Sequence, residues 1–184
     1  TIGYYHTIAI TDATGLQIAD TGNIVGDNKS DLEWFQDAIS GNTHISSIRM
    51  SRDLGVPIIN YATPIYDLSG QITGTLVARL NLKESIWKII DRYTELAIKE
   101  GRPSSYAYMI DANGLIIAHP DRKMILRDNL LDLGVPELAE AGRQMMNAET
   151  GVKNYTWHGV SKHIGFAPLT GYRDYRGQGW SIAT

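Results

Sequence analysis

Arg49 and Arg79 are the residues whose type and placement could bind a small anion. The guanidinium group of arginine offers paired N–H donors that match a carboxylate, and an aromatic wall beside it would complete a small pocket. Side chains alternate along a predicted strand, so Ser51 shares a face with Arg49, and Tyr61 shares one with Thr63. We therefore predict that both arginines bind a carboxylate, in a site shaped by Trp34, Phe35, Ser51, Tyr61 and Thr63.

Simpler interpretations stay open for these arginines and for a group of aromatic residues near the C-terminus. Arginine is mostly exposed in folded proteins, so either side chain could lie on the solvated face of a sheet. Either could also pair with Asp53 or Asp67. Aromatic residues near the C-terminus could line another pocket, although core packing explains them more simply: Tyr155, Trp157, Phe166, Tyr172 and Tyr175.

The sequence carries no recognisable metal or catalytic motif. His119, His158 and His163 match no metal-ligand spacing, and the chain has no cysteine. The stretch 111–114 resembles the start of a calcium loop but lacks the distant bidentate glutamate, and a turn explains it. Gly-x-Ser-x-Gly, Walker and GxGxxG patterns are also missing. We therefore predict a protein that is not an enzyme and has no cofactor and no metal site.

Composition narrows the class of partner. The 184 residues carry a formal charge of −3, with no run of lysine and arginine, which argues against binding of nucleic acid. No apolar run reaches the roughly 20 residues that span a membrane. Thr1 stands almost directly before a predicted strand, so we expect a segment of a longer protein.

The elements that must position these residues are organised by an internal repeat. The stretches 12–19 and 111–118 agree at six of eight positions, and each contains Asp-Ala-x-Gly between apolar runs. An aspartate and a glycine between apolar runs predict a β-hairpin that turns at those residues. The repeat therefore predicts two modules that open with the same hairpin.

In each module we expect the hairpin to be followed by a helix and then by antiparallel strands. The capping box Ser30-x-x-Glu33 predicts a helix over 31–40 that carries Trp34 and Phe35 about 100° apart. Because of that angle, we expect only one of the two rings to point into the core. The predicted strands of this module cover 4–10, 16–19, 45–51, 57–65 and 71–80.

A long helix is predicted between the two modules. Asn81 and Glu84 repeat the capping pattern, and Gly101 and Pro103 stop the helix. We expect this helix to hold the modules in a fixed relation. In the second module Pro136 predicts the first turn of another helix. The predicted hairpin and strands of that module cover 106–119, 153–158, 161–167 and 180–183.

This order of elements resembles the double Cache (double PDC, PAS-like) extracellular sensor domains of bacterial and archaeal chemoreceptors and sensor histidine kinases. The stretches that carry the resemblance are Ile10–Gly15, Pro57–Gly70, Ile110–Pro120 and Gly179–Trp180. The long helix that precedes the first module in this family is missing, as are its flanking transmembrane helices. We therefore expect a soluble, extracytoplasmic part of a membrane receptor.

The resemblance implies an α+β fold of two tandem PAS-like modules, each an antiparallel sheet flanked by helices. It implies a membrane-distal, ligand-binding module over 1–80, a connector over 81–103 and a membrane-proximal module over 104–184. A ligand in the distal module would shift the population between two packed states of a receptor that acts as a homodimer.

The resemblance also bears on the class of ligand. Members of the family that bind amino acids carry an arginine two positions before a Trp-Tyr pair, whereas Leu32 stands two positions before Trp34 here. Arg49 and Ser51 fall where those members place a tyrosine and an aspartate, and Arg79 falls where they place a second aspartate. The loss of both acids favours a small organic anion over an amino acid.

Three other functions remain possible at this point. The same pocket could bind an amino acid or an amine. The chain could be a cytoplasmic PAS-type module that holds haem or flavin, which a colourless purified protein would exclude. It could also be an enzyme, which an activity screen would reveal.

Overall fold

The structure is a computed structural model that describes residues 3–171 and 177–184. The chain forms two compact units, of which the first ends at Ser85 and the second begins at Ile86. Each unit contains one antiparallel sheet, and helices accompany both, so the predicted α+β class is confirmed. None of the described helices has the length and the apolar character needed to span a lipid bilayer.

The sheet of the first unit has the strand order β2-β1-β6-β5-β3, and β4 also pairs with β5. The short helix α1 (Glu33–Ile39) packs on β5 and β6. The strands are β1 (Tyr5–Asp12), β2 (Gln17–Asp20), β3 (His44–Ile45), β4 (Arg49–Met50), β5 (Pro57–Tyr66) and β6 (Ile72–Asn81).

The sheet of the second unit has the order β8-β7-β11-β10-β9, which repeats the first order strand for strand. Helix α3 (Pro136–Met146) begins at the predicted proline and packs on β9 and β10. Helix α2 (Ile86–Lys99) precedes this sheet in the chain. The strands are β7 (Tyr108–Ile110), β8 (Ile116–Ala118), β9 (Gly151–Trp157), β10 (Val160–Pro168) and β11 (Ser181–Ala183), and two 3-10 helices cover Arg122–Met124 and Leu130–Asp132.

The two hairpins turn as their sequences predict. The Asp111 carboxylate accepts hydrogen bonds from the backbone N–H groups of Asn113 and Leu115, both at 2.9 Å. Gly114 has a φ of +81°, a conformation that L-residues rarely adopt. Asp12 makes the same pair of bonds in the first hairpin, which confirms that the repeat encodes one turn twice.

Helix α1 begins later than predicted, and the predicted capping box was wrong. Leu32 is the N-cap residue, and no side chain caps the helix. The Ser30 hydroxyl instead donates a hydrogen bond to the Asn28 side chain at 2.5 Å. Asn28 also accepts the backbone N–H of Ser30, so a local turn engages the serine before the helix starts.

Helix α2 also starts later than its capping residue indicates. Asn81 accepts hydrogen bonds from the N–H groups of Lys83 and Glu84 at 3.1 and 3.3 Å, but the residues that follow form turns before Ile86. The helix is attached to the second unit, because the indole N–H of Trp87 donates to the carbonyl oxygen of Ile117 at 3.1 Å.

Both aromatic rings of α1 lie in the core of the first unit. Trp34 and Phe35 are buried and meet edge to face, with 6.2 Å between ring centroids. The expectation that only one would point inward was wrong. Their neighbours on the sheet are the small residues Ala9, Ala62 and Val77, which leave room for two large rings under a short helix.

We predict that Gly74→Ala destabilises the first unit by about 1–3 kcal/mol. A Cβ atom at this position would lie 2.1 Å from the backbone oxygen of Thr11, on the neighbouring strand β1. Relief requires the two strands to separate, because the obstacle is backbone. Urea denaturation measures the loss. Gly165→Ala, on β10, is the matched control, since its Cβ would meet only a side-chain atom at 3.9 Å. Equal stability of the two variants would contradict the prediction.

Candidate functional site

The inner face of the first sheet, which α1 covers, changes from apolar to polar along its length. Val77 lies in the core beneath α1, whereas Arg79, two residues further along β6, is buried among polar groups. Arg79 lies opposite Thr7 on β1 and opposite Asn60 on β5. Residues paired across strands share a face, so these three side chains form one polar surface.

Arg79 uses its guanidinium group within the protein. One terminal nitrogen donates to the carboxylate of Asp20 at 2.9 Å and to the hydroxyl of Thr7 at 2.7 Å. The other donates to the side-chain oxygen of Gln17 at 3.0 Å and lies 3.6 Å from the carboxylate of Asp53. The plainer interpretation of Arg79, as a residue paired with acids, is therefore the observed one.

A second buried cation joins the same network. The ammonium group of Lys29 contacts both carboxylate oxygens of Asp53 at 2.9 Å, and its side chain is only 1% exposed. A turn that begins at Ser51 presents Asp53, because the Ser51 hydroxyl accepts the N–H of Leu54 at 3.1 Å. We call Asp20, Lys29, Asp53 and Arg79 the charged cluster. Within these four residues the charges balance, and the exposed Asp27 adds a further carboxylate 3.1 Å from the Lys29 ammonium group.

Arg49 adds a positive charge beside this balanced cluster. It pairs with Ile58 of β5, which places its side chain on the inner face, one alternation from Asn60. Arg49 is half-buried, and within residues 3–171 and 177–184 its guanidinium forms no hydrogen bond or ion pair. Burial lowers the pKa of Arg49, the charge of Glu33 opposes that change, and the group remains protonated.

Asn60 supplies a neutral polar group at the same place. It is 1% exposed, and its side-chain oxygen has no hydrogen-bond partner among the described residues. An unpaired buried acceptor costs about 1–3 kcal/mol, so its neighbourhood favours a bound group that can pair with it. Arg49 and Asn60 together offer a charged and a neutral contact on one face.

The structure does not bring all the predicted site residues together. Tyr61 and Thr63 pair with Ala78 and Leu76, so both lie on the face opposite to Arg79. Their predicted role beside Arg79 was wrong, because even and odd positions of β5 point to opposite sides. Ser51 is buried in the turn that carries Asp53, and Trp34 and Phe35 lie in the core.

Sequence reasoning named Asp53 as an alternative partner of Arg79, but it missed Asp20, which pairs with Arg79, and Lys29, which pairs with Asp53. Lys29 stands in a polar stretch that is typical of an exposed loop. Asn60 left a clearer signal, because it alternates with Ile58 and Ala62 at positions that should face the core. A polar residue at such a position indicates either a buried network or a bound molecule.

One group of metal-ligand side chains also lies in this unit. The ligand atoms of Glu33, Asp37 and His44 lie within 4.8 Å of one another. The Nδ1 atom of His44 is 2.5 Å from a carboxylate oxygen of Asp37, and this hydrogen bond accounts for the grouping. Glu33 is exposed, so we assign no metal to these residues.

Two of the five aromatic residues near the C-terminus line a cavity in the second unit. They are Tyr155 and Trp157, whereas Phe166 belongs to the core of that unit. Tyr172 and Tyr175 lie outside the described residues.

We predict that Arg79→Met destabilises the first unit by about 3–5 kcal/mol, because it leaves the fully buried carboxylate of Asp20 without a cation. Chemical denaturation measures the loss. The double variant Asp20→Asn with Arg79→Met should lose clearly less than the sum of the two single changes. Arg102→Met, which removes an exposed ion pair, is the control and should change stability little. Additive losses in the double variant would refute the coupling.

Solved structures with the same fold are ligand-binding domains of receptors. The ligand-binding domain of the Pseudomonas fluorescens chemoreceptor CtaA with L-alanine has 20% sequence identity and a TM-score of 0.65, with 97% of this chain and 71% of that chain covered. The domain of the Pseudomonas aeruginosa chemoreceptor PctC with GABA has 19% identity and a TM-score of 0.66, with coverage of 98% and 73%. The extracellular domain of mmHK1S-Z2, which is described as a histidine kinase, has 17% identity and a TM-score of 0.54, with 83% of this chain and 54% of that chain covered.

Comparison by sequence gives the family. No curated protein matches the chain. The family described as Cache domain (dCache_1) matches residues 1–184, which is the whole chain. The two repeated sheets of this chain, and the resemblance seen in its sequence, agree with this match. The chain belongs to the Cache domain family.

Proposed function

We propose that this chain is the extracytoplasmic ligand-sensing domain of a membrane receptor and that it binds a small carboxylate in its first unit. The observation that carries the proposal is the half-buried Arg49, whose guanidinium forms no hydrogen bond or salt bridge within the described residues, although the charge of Glu33 acts on it. A buried cation is costly until it is paired, so the site favours an anion. Arginine can bind both oxygens of a carboxylate at once.

The charge balance of the site supports an anion over an amino acid. An amino acid would bring an ammonium group that needs an acid of its own. Asp20 and Asp53 are already paired with Arg79 and Lys29, Asp27 also contacts Lys29, and Glu33, whose charge acts on Arg49, is exposed. The related domains of CtaA and PctC bind L-alanine and GABA, which also carry a carboxylate. We infer that the ligand of this chain has a carboxylate, as L-alanine and GABA do, but no amine.

In this proposal the earlier site residues have unequal roles. Arg49 binds the carboxylate, and Asn60 pairs with a second polar atom of the ligand. Arg79 shapes the site through the charged cluster and does not bind the ligand directly. Trp34 and Phe35 support the site from α1. The receptor transmits binding across the membrane as a population shift, acts as a homodimer and has no enzymatic activity of its own in this domain.

We expect Arg49→Gln to abolish binding of carboxylates while the domain stays folded. Thermal shift and calorimetry with two matched pairs provide the test: propionate with L-alanine, and succinate with L-aspartate, each differing by one α-amine. A ligand at a hundred times its dissociation constant should stabilise the wild type by about 2.7 kcal/mol, which is several degrees at this size. We expect the acid without the amine to bind more tightly in at least one pair.

Arg143→Gln is the control for this experiment, because it removes one exposed arginine from the second unit. Its ligand response should match that of the wild type. Undiminished binding by Arg49→Gln would rule out the carboxylate contact. Tighter binding of L-alanine or L-aspartate than of the matching acid would replace the anion with an amino acid.

A further inference from the structure

The second unit contains two adjoining, partly open cavities that take no part in the function proposed for the first unit. Their volumes are about 230 and 200 Å³. They share the side chains of Tyr106, Tyr108 and Tyr155. The larger cavity is otherwise lined by apolar side chains and by a few aromatic and polar groups: His119, Asp121, Trp157 and His158.

One buried hydroxyl at this cavity has no hydrogen-bond partner among the described residues. Tyr108 is 5% exposed, and within the described residues its hydroxyl makes no hydrogen bond. Burial raises the pKa of Tyr108, so the hydroxyl keeps its proton and can donate a hydrogen bond. Leaving such a group unpaired is costly, and a ligand atom in the cavity would relieve that cost.

A histidine beside this tyrosine is neutral and offers a second donor. The rings of Tyr108 and His119 are 5.9 Å apart. The Nδ1 atom of His119 accepts the backbone N–H of Asp121 at 2.9 Å, so the ring proton is assigned to Nε2. Burial lowers the pKa of His119, which keeps the ring uncharged near neutral pH.

We infer that this cavity binds an uncharged, planar aromatic molecule with a hydrogen-bond acceptor that receives the Tyr108 hydroxyl. The rings of Tyr106, Tyr108 and Trp157 provide faces and edges for stacking. The volume suits a molecule of roughly ten to fifteen non-hydrogen atoms, at the small end of ligand sites.

The charges around the cavity support the uncharged class. Among the described residues that line the larger cavity there is neither lysine nor arginine to pair with a carboxylate. Lys162 lines the adjoining cavity, where its ammonium group lies 5.0 Å from the centre of the Tyr106 ring. An organic cation would find aromatic faces, but Asp121, the one acid among the described lining residues of the larger cavity, is exposed and already caps the 3-10 helix at Lys123. An uncharged ligand keeps both hydrogen-bond donors and adds no unpaired charge.

The test uses benzamide, benzoate and benzylamine, which share one ring and differ in charge. Calorimetry on the whole chain should find benzamide the tightest of the three. Tyr108→Phe should weaken benzamide about three- to tenfold, as expected for the loss of one hydrogen bond. Without ligand, Tyr108→Phe should unfold at a higher temperature than the wild type, because it removes a buried polar atom that lacks a partner. Tyr66→Phe, at an exposed tyrosine of the first unit, should change neither value.

Each other outcome would overturn part of this assignment. Tighter binding of benzoate or benzylamine would reject the uncharged class. Equal benzamide affinity in Tyr108→Phe would reject the role of the hydroxyl. Failure of all three probes to bind at millimolar concentration would reject the cavity as a site for small aromatic molecules.

Discussion

Four charged side chains lie buried in the first unit, between the inner face of its sheet and the segments that cross it. Each buried ion costs several kcal/mol unless it is paired at close range, so the segments that carry these side chains must place opposite charges in contact. Arg79 comes from the central strand β6, and Asp20 ends β2. The backbone N–H of Lys29 is fixed by the carbonyl oxygen of Gly15 at 2.8 Å. The turn after β4 supplies Asp53. Strand pairing and loop geometry in this unit therefore converge on one balanced cluster.

The repeat places a different chemistry on the same frame in the second unit. Asp12 and Asp111 hold equivalent turns, so residues at the same distance before each aspartate correspond. Thr7 therefore corresponds to Tyr106, and Ala9 corresponds to Tyr108. In the first unit these positions carry a hydroxyl bound to Arg79 and a small residue under Trp34. In the second they carry two tyrosines that border cavities. One topology thus carries a charged cluster in one unit and an aromatic-lined cavity in the other.

The sequence predicted correctly those turns and helix starts that depend only on neighbouring residues. The Asp-x-x-Gly turns and Pro136 act through their own backbones, and each was found where its pattern indicates. The arrangement around Arg79 depends on residues distant in the chain, such as Asp20, which no local pattern connects to it. Trp34 and Phe35 show the same limit, since both rings fit inward only because the sheet opposite them carries alanine and valine. The face of Tyr61 was predictable in principle, because the register of β5 with β6 fixes it, but that register follows from long-range pairing.

The position of Arg49 suggests how a bound anion could alter the structure. Strand β4 has only two residues and leads directly into the turn that carries Asp53. So short a strand has few ladder hydrogen bonds, so β4, like the equally short β3, moves at lower cost than the long strands of the sheet. An anion bound to Arg49 would add negative charge near Arg79, because the positive charge of Arg79 already acts on Arg49. In the proposed function this added charge would repel the carboxylate of Asp53 and favour an arrangement in which the turn has shifted. Only such a difference in affinity between two arrangements lets a ligand change their populations, and in the proposed function the link between β4 and the charged cluster would provide it.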